Sequence, residues 1–166
     1  MKNWILRLRP CHIRFQVFSS LIPAPQGTGR TLFASSRLLL KALLKRYTLP
    51  QLAAVTWDCK TDAFNATLLK DMALFVPHPE NNTLCIRYHE PWPETHTKFD
   101  ATEVRLHNDP DGLFNDLNSL LYDSRICNYL QFGHGDIIVS DNILMMHTRE
   151  AYAPGSPRRF WRIHVN

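Results

Sequence analysis

Three stretches near the end of the chain decide the fold: Gly135-Asp136-Ile137-Ile138-Val139-Ser140-Asp141-Asn142, then Met145-Met146-His147-Thr148-Arg149, then Arg158-Arg159-Phe160-Trp161-Arg162-Ile163-His164-Val165. The apolar runs are rich in β-branched and aromatic residues and are separated by turn-forming residues, which is typical of β-strands. A turn, a strand, a histidine and a basic strand follow one another. This order predicts that the histidine and the basic residues lie on adjacent strands of a small barrel.

Length and composition predict one soluble globular unit. The chain has 166 residues, enough for a single domain with a substantial core. Its residues are 45% hydrophobic and 20% charged, which is ordinary for a globular protein and disfavours both disorder and membrane spanning. We therefore expect one domain over residues 1–166 and no membrane partner.

Charge is distributed unevenly along the chain. Residues 1–57 contain nine Lys and Arg and no acidic residue, whereas the net charge of the whole chain is +4, so the remainder carries −5. An organelle presequence is one interpretation of this basic start, but Pro10, Pro23 and Pro25 would interrupt its helix. Nucleic-acid binding is another, but no recognisable reading element accompanies the charge. We expect a cytoplasmic location and no nucleic-acid partner.

The four cysteines are widely spaced, at Cys11, Cys59, Cys85 and Cys127, without a C-x-x-C pair. This spacing argues against a zinc ribbon or a redox motif. Without a secretory signal, we expect reduced and mostly buried thiols with no chemical role.

Local patterns predict a mainly β chain with two helices. A basic helix is predicted over residues 37–47, with Ser35-Ser36 as its cap. Its apolar face would suit either a membrane surface or packing on a sheet, and packing on a sheet is favoured. A second helix is predicted from Pro110, and residues 90–100 are predicted to form a loop. Strands are predicted over residues 15–22, 31–33, 71–76, 84–88, 129–132, 136–140, 143–147 and 159–165.

The quoted stretches, G-D-I-I-V-S-D-N, M-M-H-T-R and R-R-F-W-R-I-H-V, resemble the C-terminal half of the taurine dioxygenase-like family of iron(II)- and 2-oxoglutarate-dependent oxygenases. The stretch from Gln16 to Phe33, with Arg87-Tyr88-His89-Glu90-Pro91-Trp92, is similar to the branch that tailors isonitrile compounds. The resemblance implies an α+β, mainly β fold: a double-stranded β-helix (jelly roll) with flanking helices, here without its leading strands.

The resemblance also implies a set of site residues. His147 matches the distal histidine ligand of Fe(II), although an isolated histidine in a strand is more often a core residue. Arg158 and Thr31 match the residues that bind the distal carboxylate of 2-oxoglutarate, and Arg162 matches the second arginine of the family. Arg159 would take the role of Arg158 if the register shifted by one residue.

The chain departs from the family at the other two iron ligands, which form a His-x-Asp or His-x-Glu pair. Their expected position falls on Asn3-Trp4-Ile5-Leu6, where neither residue type is present. Two stretches match the His-x-Asp pattern, His107-Asn108-Asp109 and His134-Gly135-Asp136. Both follow Thr31 in the sequence, however, and both are predicted to be loop and turn residues. Two further candidates are His12 and His89-Glu90.

Two functions remain open from the sequence. The first is a dioxygenase that uses Fe(II) and 2-oxoglutarate to hydroxylate or desaturate a small amino-acid-derived or isonitrile metabolite, carried by a chain that is truncated or has lost its ligands. The second is a noncatalytic jelly-roll relative that binds a carboxylate or another anion. Missing leading strands would leave an exposed sheet edge, which predicts self-association.

Overall fold

The computed structural model describes residues 14–60, 68–88, 103–151 and 155–165. These residues form eleven strands and three helices, in an architecture that is mainly β. In chain order the elements are β1 (Phe15–Ile22), β2 (Thr31–Ser35), α1 (Ser36–Leu43), α2 (Leu49–Ala53), β3 (Thr56–Lys60), β4 (Leu69–Ala73), β5 (Phe75–Pro77), β6 (Leu84–Ile86), β7 (Glu103–His107), α3 (Leu113–Leu120), β8 (Cys127–Leu130), β9 (Ile137–Asp141), β10 (Met145–Arg149) and β11 (Arg159–Val165).

Two antiparallel three-stranded sheets face each other and define the barrel. The outer sheet has the strand order β11-β1-β9, and the inner sheet has the order β10-β2-β8. Phe18 of the outer sheet and Phe33 of the inner sheet pack edge to face with ring centroids 5.6 Å apart. With Phe132 they form the apolar layer between the sheets. The predicted α+β, mainly β jelly roll is confirmed.

The main core lies on the other face of the inner sheet. Side chains alternate along a strand, so Leu32 and Ala34 of β2 point away from Phe33 and into this core. Helices α1 and α3 cover it, and each contributes leucines at helical spacing: Leu39, Leu43, Leu113 and Leu117. The inner sheet is therefore buried on both faces and forms a rigid wall.

The predicted basic helix is confirmed as α1, whose N-cap Ser35 accepts a hydrogen bond from the backbone of Leu38. The two charged strands β3 and β7 were not predicted. They pair with each other, and Asp58 of β3 is opposite Arg105 of β7. Helix α2, which is capped by Thr48, was not predicted either. The predicted loop over residues 90–100 lies outside the described residues.

One prediction about the arrangement of the strands is wrong. The histidine strand and the basic strand are not adjacent, because β10 pairs with β2 whereas β11 pairs with β1. They lie in the two facing sheets. The side chains that were expected side by side therefore approach each other across the interior of the barrel.

The cysteines that the structure describes are buried, as predicted. Cys59, Cys85 and Cys127 are buried free thiols. Burial raises the pKa of Cys59 and of Cys85 to about 11, so both stay protonated and unreactive at neutral pH. Among the described residues, no helix is long and apolar enough to cross a membrane.

Candidate functional site

His147 lies in the middle of β10 and faces the space between the two sheets. Its side chain is packed against Phe18 of the outer sheet, with ring centroids 5.1 Å apart, and against Phe33 beside it, at 6.3 Å. Only 8% of the residue is exposed. The imidazole is therefore held by an aromatic wall inside the barrel.

The environment of His147 favours the neutral imidazole. Burial, with smaller contributions from the nearby positive charge of Arg162 and from His164, lowers its pKa to about 3. The neutral form is the one that can donate a lone pair to a metal ion or accept a hydrogen bond. Arg162 and His164 both lie on β11 of the facing sheet, so this effect acts across the interior.

The low pKa of His147 predicts that the chain loses stability in mild acid. An unfolded histidine takes up a proton near pH 6.5, whereas folded His147 does so only near pH 3, so acidification between these values favours the unfolded state. The free energy of unfolding should fall between about pH 7 and about pH 4.5 in both chains. We expect the decrease to be about 2 kcal/mol smaller in the His147→Gln variant than in the wild-type chain. Urea denaturation followed by circular dichroism at both pH values measures it. Equal losses in the two chains would contradict the prediction.

Arg158 and Thr31 meet at the predicted carboxylate site. Arg158 Nη2 donates to Thr31 Oγ1 at 3.4 Å, and the Arg158 guanidinium carbon lies 3.9 Å from the centroid of the Phe160 ring. Thr31 is buried and Arg158 is half-buried. Arg159, the alternative for this role, is exposed on the opposite face of β11. The structure therefore places Arg158, and not its neighbour, beside Thr31.

Thr31 and His147 belong to the same wall of the barrel. In the register between β2 and β10, Phe33 is opposite His147 and Thr31 is opposite Arg149. Thr31 and Phe33 are two residues apart on one strand, so both face the interior, about 7 Å from each other. Arg158 reaches this wall from the end of the facing sheet, which brings the guanidinium and the imidazole to one side of the interior.

An ion pair that the sequence did not reveal holds this corner in place. Arg30 Nε and Nη2 each donate to a carboxylate oxygen of Glu150 at 2.6 Å, in a bidentate arrangement. The backbone N–H of Glu150 also donates to the carbonyl of Arg30 at 2.9 Å. These contacts fix the start of β2 to the end of β10, and thus fix Thr31 relative to the histidine strand. Only the pairing of distant strands brings the two residues together, so no local pattern signals them.

Gln16 and His164 form a polar pair in the interior that the sequence analysis did not single out. Gln16 of β1 and His164 of β11 are opposite each other in the register. Their Nε2 atoms are 3.3 Å apart, and Gln16 is 2% exposed. Arg162 is opposite Phe18, the residue that packs on His147. Arg162 and His164 have even numbers on β11, and this parity is the signal that could have grouped them.

The described residues do not by themselves supply an iron site. Within residues 14–60, 68–88, 103–151 and 155–165, no three His, Cys, Asp or Glu side chains are grouped so that they could hold a metal ion. Of the other candidates, His12 and His89-Glu90 lie outside these ranges. The arrangement around Arg158 and Thr31 suits a carboxylate, whereas His147 offers a metal ion a single ligand.

The two His-x-Asp sequences are used elsewhere in the fold. His107 pairs with Asp58 in the β3–β7 sheet, with 2.9 Å between Nε2 and Oδ2. His134 Nδ1 lies 2.7 Å from the carbonyl oxygen of Leu21, and Asp136 accepts a hydrogen bond from the backbone of Gly133. His134 and Gly135 form a turn, as predicted, whereas His107 ends strand β7 and was wrongly expected in a loop.

Residues 8–164 match the family described as "Taurine catabolism dioxygenase TauD, TfdA family". The chain belongs to this family. The structure of "PvcB, an Fe, alpha-ketoglutarate dependent oxygenase from an isonitrile synthetic pathway" has the same fold, with a TM-score of 0.66 at 20% identity. The match covers 98% of this TauD/TfdA chain and 57% of PvcB.

Two relatives from Aspergillus fumigatus strain Af293 are more similar in sequence. Isocyanide synthase xanB is 42% identical over 152 residues, which are 92% of this chain and 20% of that protein. Isocyanide synthase A is 36% identical over an alignment of 163 positions that covers 92% of this chain and 27% of that protein. The TauD/TfdA chain thus spans about a fifth to a quarter of the length of these relatives.

Proposed function

We propose that this TauD/TfdA chain binds 2-oxoglutarate in the cytoplasm, with the distal carboxylate on Arg158 and Thr31 and the rest of the molecule directed towards His147. The contact between Arg158 and Thr31, on the same side of the interior as His147, carries the proposal. A guanidinium stays charged at any working pH and matches a carboxylate through two parallel hydrogen bonds. Thr31 adds a hydroxyl that can donate to the same group.

The reaction proposed for this site is of the dioxygenase type, on a small amino-acid-derived or isonitrile metabolite. Fold and family support this reaction class. The substrate class rests on the names of the similar proteins, two isocyanide synthases and an oxygenase from an isonitrile pathway. We propose hydroxylation or desaturation as the outcome. Fe(II) and 2-oxoglutarate are the cofactors that the family implies, and the described part of the chain contributes His147 to the metal.

A second candidate function is anion binding without redox chemistry. It is favoured by the absence of a complete set of metal ligands. Among the described residues, no three His, Cys, Asp or Glu side chains are grouped so that they could hold a metal ion together with His147. In this case Arg158 and Thr31 would hold a carboxylate, and the solvent-exposed Arg162 would add positive charge nearby.

One experiment separates these functions. The chain is incubated with 2-oxoglutarate in air, with Fe(II) or with EDTA, and succinate is measured by NMR alongside a thermal shift for binding. Succinate that requires added Fe(II) and disappears in the His147→Gln variant supports the oxygenase. Binding of 2-oxoglutarate in EDTA without succinate release supports the anion-binding module. Absence of any 2-oxoglutarate binding would contradict the oxygenase.

A further inference from the structure

The turn between β9 and β10 carries the chain from one sheet of the barrel to the other. Strand β9 ends at Asp141 in the outer sheet, and β10 begins at Met145 in the inner sheet. Residues 142–144 alone connect the two strands. His147 follows as the third residue of β10. The conformation of this short turn therefore determines where His147 stands relative to the outer sheet that it faces.

The side chain of Asp141 holds the turn together from within. Its Oδ1 atom accepts hydrogen bonds from the backbone N–H of Ile143, at 2.9 Å, and from that of Leu144, at 3.0 Å. Aspartate side chains stabilise turns in this way, by accepting from backbone groups a few residues ahead. Leu144 is the last residue before β10, so the second of these bonds fixes the point at which the strand begins.

The carboxylate of Asp141 is itself fixed by groups from two other segments. Its Oδ2 atom lies 3.2 Å from Nε of Arg14, just before β1, and 3.6 Å from Nε2 of His78, just after β5. The backbone N–H of Asn142 also donates to the carbonyl of Arg14 at 2.9 Å. The His78 side chain is buried. Asp141 thus joins the turn to the start of the outer sheet and to the β5–β6 hairpin.

The face of β10 on which His147 lies depends on where the strand begins. Side chains alternate along the strand, so that Met145 packs in the apolar layer between the sheets and Met146 packs in the main core. His147 shares the face of Met145. A shift of the strand by one residue would turn every side chain to the opposite face and would remove His147 from the interior. The bond between Asp141 and Leu144 stands directly before the strand, where it prevents such a shift.

We propose that Asp141 is a positioning residue for His147. Its Oδ1 atom fixes the turn, the turn fixes the register of β10, and the register directs the imidazole towards Phe18. The inference rests on the function proposed above, because that function gives His147 its role as a ligand. Asp141 also carries a negative charge beside Arg14, so the position of its oxygen and its charge are two separate explanations of its importance.

Two substitutions separate these explanations. Asp141→Asn keeps an oxygen at the position of Oδ1 and removes the charge, whereas Asp141→Glu keeps the charge beside Arg14 and moves the oxygens outward by one methylene group. The readout is the NMR cross-peak between the rings of His147 and Phe18, whose centroids are 5.1 Å apart. We expect this cross-peak to persist in Asp141→Asn and to be lost in Asp141→Glu. Hydrogen exchange of the two turn amides should be faster only in Asp141→Glu.

An internal reference and a matched control distinguish positioning from a general loss of structure. The reference is the cross-peak between Trp57 and Tyr88 in the main core, whose ring centroids are 6.0 Å apart, and it should persist in both variants. The control is Asp58→Glu, the same substitution at a carboxylate that likewise accepts a backbone N–H and pairs with a histidine, in the β3–β7 sheet. It should leave the cross-peak of His147 unchanged.

The experiment uses neither iron nor 2-oxoglutarate, so its result is independent of catalysis. A chain that binds no 2-oxoglutarate but loses the His147 cross-peak only in Asp141→Glu would refute the oxygenase and support the positioning role. Persistence of that cross-peak in Asp141→Glu, its loss in Asp141→Asn or in Asp58→Glu, or its absence from the wild-type chain overturns the proposal. Loss of the reference cross-peak in Asp141→Glu overturns it as well, because the effect would then not be confined to His147.

Discussion

The Arg158→Met variant is expected to bind 2-oxoglutarate about 100-fold more weakly than the wild-type chain. Methionine keeps the length and apolar packing of the side chain beside Phe160 but removes the charge and both hydrogen bonds to the carboxylate. Loss of such a partner in a half-buried site costs about 2–5 kcal/mol, and about 2.8 kcal/mol corresponds to a factor of 100. Isothermal titration calorimetry measures the affinity.

Two variants control for this effect. Arg159→Met removes the same charge from the exposed neighbour on the other face of β11, so the affinity should change less than about two-fold. Arg158→Lys keeps the charge but loses the planar fork, and its affinity should lie between those of the wild-type chain and the methionine variant. Equal losses in the variants at positions 158 and 159 would show that the site depends on net charge and not on the contact with Thr31.

Replacing Trp57 by alanine is expected to lower the free energy of unfolding by about 3–5 kcal/mol, because the residue is completely buried in the main core and a large cavity would remain. Its ring packs 6.0 Å from that of Tyr88, which links β3 to the segment after β6. Urea denaturation followed by circular dichroism measures the loss. A decrease below about 1 kcal/mol would show that the described core does not hold the fold together.

The Trp57→Phe variant provides a graded comparison. Trp57 Nε1 is buried and has no hydrogen-bond partner among the described residues, so phenylalanine removes that unsatisfied donor while it fills most of the volume. We expect a loss of about 1 kcal/mol. Leu49→Ala, on the exposed side of α2, should change stability by less than about 0.5 kcal/mol.

The sequence predicts those elements that carry their own signals. The strand predicted over residues 15–22 is β1, and the one predicted over residues 159–165 is β11. Both predictions succeed because these runs are alternating or rich in aromatic residues and are bounded by turn-forming residues. Helix α1 is predicted by its cap and its leucine spacing. In these regions the local conformational preference agrees with the final fold, so the sequence pattern alone predicts the element.

Strands β3 and β7 are not predicted, because their stabilising pattern lies between strands. Lys60 is opposite Glu103, and Asp58 is opposite Arg105, so charges that look like loop residues in sequence are complementary cross-strand pairs in the sheet. The same reason explains why β10 and β11 were wrongly expected to be adjacent. Pairing with β2 and β1, which lie more than a hundred residues earlier, is not encoded in any local window.

The candidate site is predictable to a different degree for each of its parts. Thr31, Arg158, Arg162 and His147 follow from the resemblance, and the structure brings the first two into contact. The aromatic wall of Phe18 and Phe33 and the pair of Gln16 with His164 depend on which sheet faces which. They become visible only once the strands are assembled, although residue parity on β11 indicates that Arg162 and His164 share a face.

A crystal structure of the chain with bound 2-oxoglutarate would show whether Arg158 and Thr31 hold the ligand inside the barrel. We expect one carboxylate of the ligand to contact Arg158 and Thr31, and the 2-oxo acid end to lie on the His147 side of the interior, between the two facing sheets. A ligand bound elsewhere, or a structure in which Arg158 and His147 lie on opposite surfaces of the barrel, would contradict it.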